Sequence, residues 1–434
     1  MIAEVRLWGR TIGAASMDEG RDYAAFQYTA EFAESGIEVA PLTLPLSPRV
    51  HEFPELPRRT FHGLPGLLAD SLPDRFGNAL IDAWLATTGR TPESFGSIER
   101  LCYTGTRGMG ALEFAPVLGP RPHKPTKIDV DALVRLASDI LTERQRLRVE
   151  LSSTRRKKAL TDILRVGTSA GGARAKAVIA WNRKTNEVRS GQVTAGPGFS
   201  YWLLKFDGVA GNKDKELEDP QGYGVIEYAY SLMARAAGIT MSECRLLEEH
   251  GRRHFMTRRF DRLADGGKLH MQSLGALAHF DYNHAGAYSY EQAFLAIRQL
   301  ALPMVAMEEQ FRRMLFNIVA RNQDDHVKNI AFLMDREGRW TLAPAFDVTY
   351  SYNPSGSWTA THQMTLNGKR DGFVMVDVHA GAKSAGLKRG RADGLVEEVR
   401  AAVARWRDFA ARAKLTDDVS EKIRKTHRLD LHKA

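Results

Sequence analysis

Arg321-Asn-Gln-Asp-Asp-His-Val-Lys-Asn-Ile330 is the stretch on which the reading of this 434-residue chain turns. It follows a helical pattern over 307–320, with Met307, Phe311, Met314, Leu315 and Ile318 on one face. Asp324 and Asn329 stand five residues apart, the Asp-x4-Asn spacing of a kinase catalytic loop. In such a loop a carboxylate accepts the proton of the attacking hydroxyl, while a neutral amide oxygen holds a magnesium ion. Downstream, Ile330-Ala-Phe-Leu-Met334 and Trp340-Thr-Leu-Ala343 are apolar runs joined by Asp335-Arg-Glu-Gly-Arg339, a hairpin signal. Immediately beyond, in Ala345-Phe-Asp-Val348, Asp347 arrives where a kinase places its second metal-binding carboxylate. Taken singly, Asp324, Asp325 and Asp347 would pass for turn-forming loop residues. The helix before them and the hairpin between them favour catalysis. In the same loop, His326 is expected to support the backbone and Lys328 to meet phosphate.

An ATP site also needs a cation for the phosphates. Lys205 closes the apolar run Trp202-Leu-Leu, which suits a strand projecting an ammonium into a cleft. Upstream of it, Gly167-Thr-Ser-Ala-Gly-Gly172 reads as a phosphate-covering loop. There the small residues, Gly171 and Gly172 among them, let backbone N–H groups approach anionic oxygens, and Lys176 begins the next strand. The same pentapeptide fits G-x-S-x-G, so a serine hydrolase using Ser169 is the rival enzyme reading. It fares poorly: Leu160-Thr-Asp-Ile-Leu-Arg-Val166 carries charge where a buried strand is needed, and no downstream His stands out. No Gly-Lys-Ser/Thr follows this segment or Thr104-Gly-Thr-Arg-Gly-Met-Gly110, so neither is a Walker A loop; the latter is read as a structural turn.

Bulk properties narrow the class. No run of eighteen apolar residues is present, and MIAEVRLWGR lacks the apolar stretch of a signal peptide. Cys102 and Cys244, the two cysteines, exclude a disulfide framework and suggest reduced thiols in the cytoplasm. A formal charge of +9, densest over Arg144 to Lys158, favours a polyanionic partner without naming one. Residues 1–125 read as short strands punctuated by turns, with Val5-Arg-Leu-Trp8, Gly9 to Gly13 and Ala24-Ala-Phe-Gln-Tyr28 as examples. A helix is expected over 79–86, and Gly119-Pro-Arg-Pro-His-Lys-Pro125 is the best linker. Helices are expected over 129–146, 226–237, 290–300 and 393–414, and strands over 177–181 and 201–206.

These residues resemble the HipA kinases of bacterial toxin–antitoxin systems, over nearly the whole chain. Trp8-Gly-Arg-Thr-Ile-Gly13, Pro41-Leu-Thr-Leu-Pro-Leu46 and Leu64-Pro-Gly-Leu-Leu-Ala-Asp-Ser-Leu-Pro-Asp-Arg-Phe-Gly77 look like the family's N-terminal subdomain. Thr168-Ser-Ala-Gly-Gly-Ala-Arg-Ala-Lys176 is similar to its flexible loop. The resemblance implies an autophosphorylated serine there, Ser169 by position, with Thr168 beside it. It also implies Asp324 as catalytic base, Asn329 and Asp347 as magnesium ligands and Lys205 as the ATP-phosphate lysine. Met256-Thr-Arg-Arg-Phe-Asp-Arg262 looks like the hinge that meets adenine through backbone groups, although Arg258 stands where the best-known members carry an acidic residue.

The implied fold is α+β, two-lobed and protein-kinase-like. Its expected parts are an N-terminal β-rich subdomain over 1–125, a kinase N-lobe over 126–258 and a mainly helical C-lobe over 259–434. The implied biology is an ATP- and Mg2+-dependent serine/threonine kinase that phosphorylates a translation component, typically an aminoacyl-tRNA synthetase. A HipB-like DNA-binding antitoxin would neutralise it and tether it to operator DNA. The alternative from another class is a non-enzymatic, DNA-associated regulatory subunit built on the same fold.

Overall fold

A computed structural model describes residues 1–120, 127–142, 163–164, 174–210, 213–214, 217–218, 222–263 and 265–431. The expected glycine-rich loop, with Thr168, Ser169, Gly171 and Gly172, lies outside these residues, as do the basic run over 144–158 and most of the linker. The described chain is α+β and divides into two compact units.

The first unit comprises Met1–Gly224, Arg245–Gln272 and Met334–Gly338. It contains two five-stranded sheets. One runs in the order Val50–Glu52, Ala25–Tyr28, Arg10–Ser16, Ile2–Leu7, Leu112–Ala115, each neighbour antiparallel. The stretch Gly9 to Gly13 thus belongs largely to a strand, with the turn confined to Trp8 and Gly9. Gly13 is required by close approach, because a Cβ there would sit 2.4 Å from the Gln27 carbonyl oxygen and 2.8 Å from the Phe26 ring. The helix expected over 79–86 is found as Arg75–Thr87, and residues 1–125 hold further helix that the strand-and-turn pattern does not suggest, including Ser97–Thr104. Asp74 starts the first of these, its Oδ1 accepting from the Gly77 N–H at 2.7 Å as an N-cap.

The second sheet is ordered Cys244–Glu249, Arg252–Arg258, Phe199–Lys205, Lys176–Asn182, Glu187–Ser190. It rests on a core shared between the N-terminal third and the later strands: Phe76, Leu80, Tyr103, Leu133, Ile179 and Leu204 all belong to one buried cluster. The turn over 104–110 is structural, as expected. Gly110 N–H donates to Asp261 Oδ2 at 2.7 Å, and the Gly108 carbonyl accepts from Arg259 and Arg262 at 3.3 Å.

The second unit comprises Val225–Cys244, Ser273–Leu333 and Arg339–Ala434 and is mainly helical. Its longest helix, Met304–Ala320, buries Met307, Phe311, Met314, Leu315 and Ile318, the face that the periodicity predicts. Tyr230, fully buried, lies edge-on to Phe316 and Trp406. The helix expected over 393–414 is broken at Arg405 into Arg391–Ala404 and Trp406–Arg412. Helix-forming residues flank the break on both sides. What turns the chain is tertiary packing, which carries Trp406 against Tyr230.

Candidate active site

The loop after Met304–Ala320 is held first by its own helix end. The last carbonyls of a helix have no intrahelical donor. Here Ala320 O accepts from Tyr230 Oη at 2.7 Å and Val319 O from the Arg428 N–H at 2.8 Å. Arg321 ends the helix in the left-handed conformation (φ 59°), and its Nε donates to Thr426 O at 2.8 Å. A non-glycine residue adopts that conformation at a cost of about 1 kcal/mol, so the surrounding contacts hold it in place.

The loop then closes on itself. His326 O accepts from the Asn329 N–H at 2.9 Å, in a short 3-10 turn over Val327–Asn329. Asn329 Nδ2 donates to the Asp324 backbone carbonyl, also at 2.9 Å. The two residues singled out by spacing are therefore joined directly. That bond commits the amide nitrogen of Asn329, and among the described residues no donor takes its Oδ1. The Asp324 side chain is about one-fifth exposed; its Oδ1 accepts from Trp358 Nε1 at 2.6 Å and lies 3.9 Å from His326 Nε2.

Asp347 follows the short hairpin of Ala331–Met334 and Trp340–Leu342. Ala345 N–H donates to Thr240 O at 2.8 Å, fixing the chain two residues before it. Asp347 itself is left-handed (φ 56°), a conformation that aspartate tolerates better than most residues. Asp347, Asn329 and His326 line one cavity of about 30 Å³, together with Asp325, Gln310 and Asn322. Asn329 and Asp347 thus line one cavity, and an amide oxygen and a carboxylate are ligand types that a hard, oxygen-preferring divalent cation such as magnesium takes.

His326 and Lys328 share Tyr282: the His326 ring centroid is 5.6 Å from that of Tyr282, and Lys328 Nζ lies 5.0 Å from it.

Sequence reasoning left Asp325 as a turn residue and missed what surrounds it. Its carboxylate is buried and accepts from Tyr290 Oη at 2.5 Å, His362 Nδ1 at 2.7 Å and the Gln363 N–H at 2.7 Å. Burial pushes this carboxyl upward, but the His362 charge and the three hydrogen bonds outweigh it and hold the group below its ordinary value. Tyr290 continues the network to Asn317 Nδ2 at 3.0 Å, and Asn317 Oδ1 accepts from Asn322 Nδ2 at 2.9 Å. Asp325 is thus the buried anchor of the loop. The partners come from 35, 37 and 38 residues away, beyond any local pattern.

The remaining expected residues lie in the first unit. Lys205 ends its strand opposite Phe255 and Lys176 in register, with Nζ 5.7 Å from the Phe255 ring centre. Lys176 is buried, and its ammonium lies 3.2 Å from Asp74 Oδ2. The lysine that follows the expected phosphate-covering loop is thus held in an internal ion pair. Met256 has its side chain in the core, so only its backbone is left for a ligand, and Arg258 is exposed. Cys102 and Cys244 are both buried and form no disulfide. Among the described residues no helix is long and apolar enough to cross a membrane.

Comparison with known proteins agrees with this architecture. The HipA N-terminal domain family matches residues 3–115, and the HipA-like C-terminal domain family matches residues 168–406. Y4mE of Sinorhizobium fredii, named as a candidate kinase, is 26% identical over 420 residues, covering 92% of this chain and 90% of its own. A HipA structure from Shewanella oneidensis MR-1, solved with HipB and operator DNA, superposes with a TM-score of 0.66 at 17% identity. That match covers 97% of this chain and 94% of the HipA chain, and it shows a shared fold. The kinase CtkA of Helicobacter pylori reaches a TM-score of 0.34 at 12% identity over 52% of this chain and 84% of its own, too low to carry weight. Since one of the two family matches alone spans more than half of the residues, this chain belongs to the HipA family.

Proposed function

We propose that this protein is an ATP- and magnesium-dependent serine/threonine protein kinase and acts as the toxin of a HipA/HipB-like pair. The observation that carries the reading is the Asn329–Asp324 bond. It spends the amide nitrogen of Asn329 on the loop and leaves the amide oxygen to a residue that lines the same cavity as Asp347. Asp324 accepts the proton of the attacking hydroxyl as the new O–P bond forms and the bond between the γ-phosphorus and its bridging oxygen breaks, releasing ADP. Asn329 Oδ1 and the Asp347 carboxylate hold magnesium, which when bound neutralises charge on the phosphate oxygens. Lys205 is assigned to the nucleotide phosphates and the backbone near Met256 to adenine. Asp325, buried and fully hydrogen-bonded, keeps the loop in shape and takes no proton.

Family membership supports the wider reading. A HipB-like antitoxin that brings operator DNA is the proposed partner, an aminoacyl-tRNA synthetase the proposed target, the cytoplasm the compartment, and Ser169 (or Thr168) the autophosphorylated residue.

Transfer of label from γ-labelled ATP tests the chemistry. Asp324→Ala is expected to lower incorporation by roughly 100-fold or more, the scale of losing a general base, and Asp347→Ala to lower it as well through loss of a magnesium ligand. Undiminished labelling in both variants would overturn the reading. Phosphoproteomics after expression of wild type and Asp324→Asn then identifies the target as a phosphosite present only with Asp324.

A further inference from the structure

The segment after Asp347 reaches back to the catalytic loop and grips two consecutive residues of it. His362 Nδ1 and the Gln363 N–H hold Asp325, while Trp358 Nε1 donates to Asp324 Oδ1 at 2.6 Å. The Gln363 side chain ties the two grips together by donating to the Trp358 carbonyl and, at 3.4 Å, to Gln323 O. Among the described residues, Asp324 Oδ2 accepts no hydrogen bond. The carboxylate is thus held by one oxygen with the other left over, and the indole that holds it is only half-buried.

A carboxylate on a short side chain rotates readily unless something fixes it. A base that must meet one hydroxyl needs one oxygen tethered and one presented. A tryptophan suits the tether, since its N–H donates and cannot accept, so it competes for neither the proton nor a cation. From this we propose that Trp358 is a positioning residue for phosphoryl transfer: its indole N–H fixes Asp324 through Oδ1, so that Oδ2 receives the proton of the substrate hydroxyl.

The proposal rests on the kinase reading above, and two separate readouts keep their failures apart. The first is the Trp358 indole N–H resonance in the full chain labelled with 15N-tryptophan, identified by its disappearance in Trp358→Phe. It is expected to lie downfield in wild type and to move upfield in Asp324→Asn; a resonance indifferent to Asp324→Asn refutes the contact. The second is steady-state transfer from ATP. Trp358→Phe is expected to lower kcat about 10- to 100-fold, the scale of one charge-assisted hydrogen bond, with KM for ATP within twofold. An unchanged kcat, or a loss confined to KM, refutes positioning. Thermal unfolding at the wild-type midpoint shows that the Phe variant is folded, and the Asp324→Asn arm needs no tryptophan variant at all. A wild type that turns over no ATP removes the kinase reading and the positioning role with it, even if the resonance moves.

Discussion

Replacing Asp325 with alanine removes one acceptor group and strands three buried donors. Tyr290 Oη, His362 Nδ1 and the Gln363 N–H all end on its two oxygens, at 2.5, 2.7 and 2.7 Å. Each donor left without a partner costs about 1–3 kcal/mol, and losing one member of a buried charged network costs about 3–5 kcal/mol in all. Taking the lower end, about 3 kcal/mol raises the opening constant of the segment about 150-fold. Hydrogen exchange read by mass spectrometry on peptides covering 321–330 and 358–366 measures that opening directly, even where the two units unfold separately. Asp325→Asn keeps one acceptor oxygen and is expected to fall between wild type and alanine. Exchange faster by less than about threefold in Asp325→Ala would refute the anchoring role. So would an asparagine variant opening more readily than alanine.

Asp261 offers a parallel case in the first unit. Fully buried between Arg259 and Arg262, it should cost about 3–5 kcal/mol on replacement by alanine, seen as a melting midpoint lower by about 10 °C. A shift of a degree or two would contradict this. Gly13→Ala drives a methyl group into the Gln27 carbonyl and the Phe26 ring and is expected to cost about 1–3 kcal/mol by urea unfolding. Acid should weaken the fold in a defined window. Burial lowers His270 from 6.5 to about 4 and, with Arg321 and Arg424, lowers His427 to about 3. The unfolded chain then binds more protons between these values, so stability is full above pH 6.5 and falls as the pH drops toward 4. His270 alone accounts for about 3 kcal/mol of that loss. Urea midpoints measured from pH 7 to pH 4 check it, and a flat profile would be the contrary result.

The parts of the site that could be read from sequence are those that chain proximity builds. Asp324, Asn329 and Asp347 sit in one helix–loop–hairpin run, so spacing alone places them near each other, and Asn329 and Asp347 share a cavity. The groups that hold this run in place come from afar. Tyr290, His362 and Trp358 reach the loop across 34 to 37 residues, and a hydroxyl, an imidazole or an indole in isolation carries no mark of its partner. Asp325 was within view as one of two adjacent carboxylates. Only burial separates its role from that of its neighbour. Periodicity gave the buried face of Met304–Ala320, because the apolar stripe is the cause of its packing. It ran straight through Arg405, where a tertiary contact outweighs local preference. Lys176 follows the loop expected to cover phosphate, and the anion it meets is a carboxylate of its own chain.

That carboxylate has a consequence for how the molecule could be divided. Asp74 belongs to the segment matched by the N-terminal family and Lys176 to the segment matched by the C-terminal one. A polypeptide begun after residue 115 would bury an ammonium with no counter-charge and expose the apolar side of the Lys176–Asn182 sheet that Phe76 and Leu80 help to cover. Parts of both family-matched segments are therefore packed into one core within the first unit. Shortening this protein to its kinase-like portion would yield an aggregating fragment in place of a smaller enzyme.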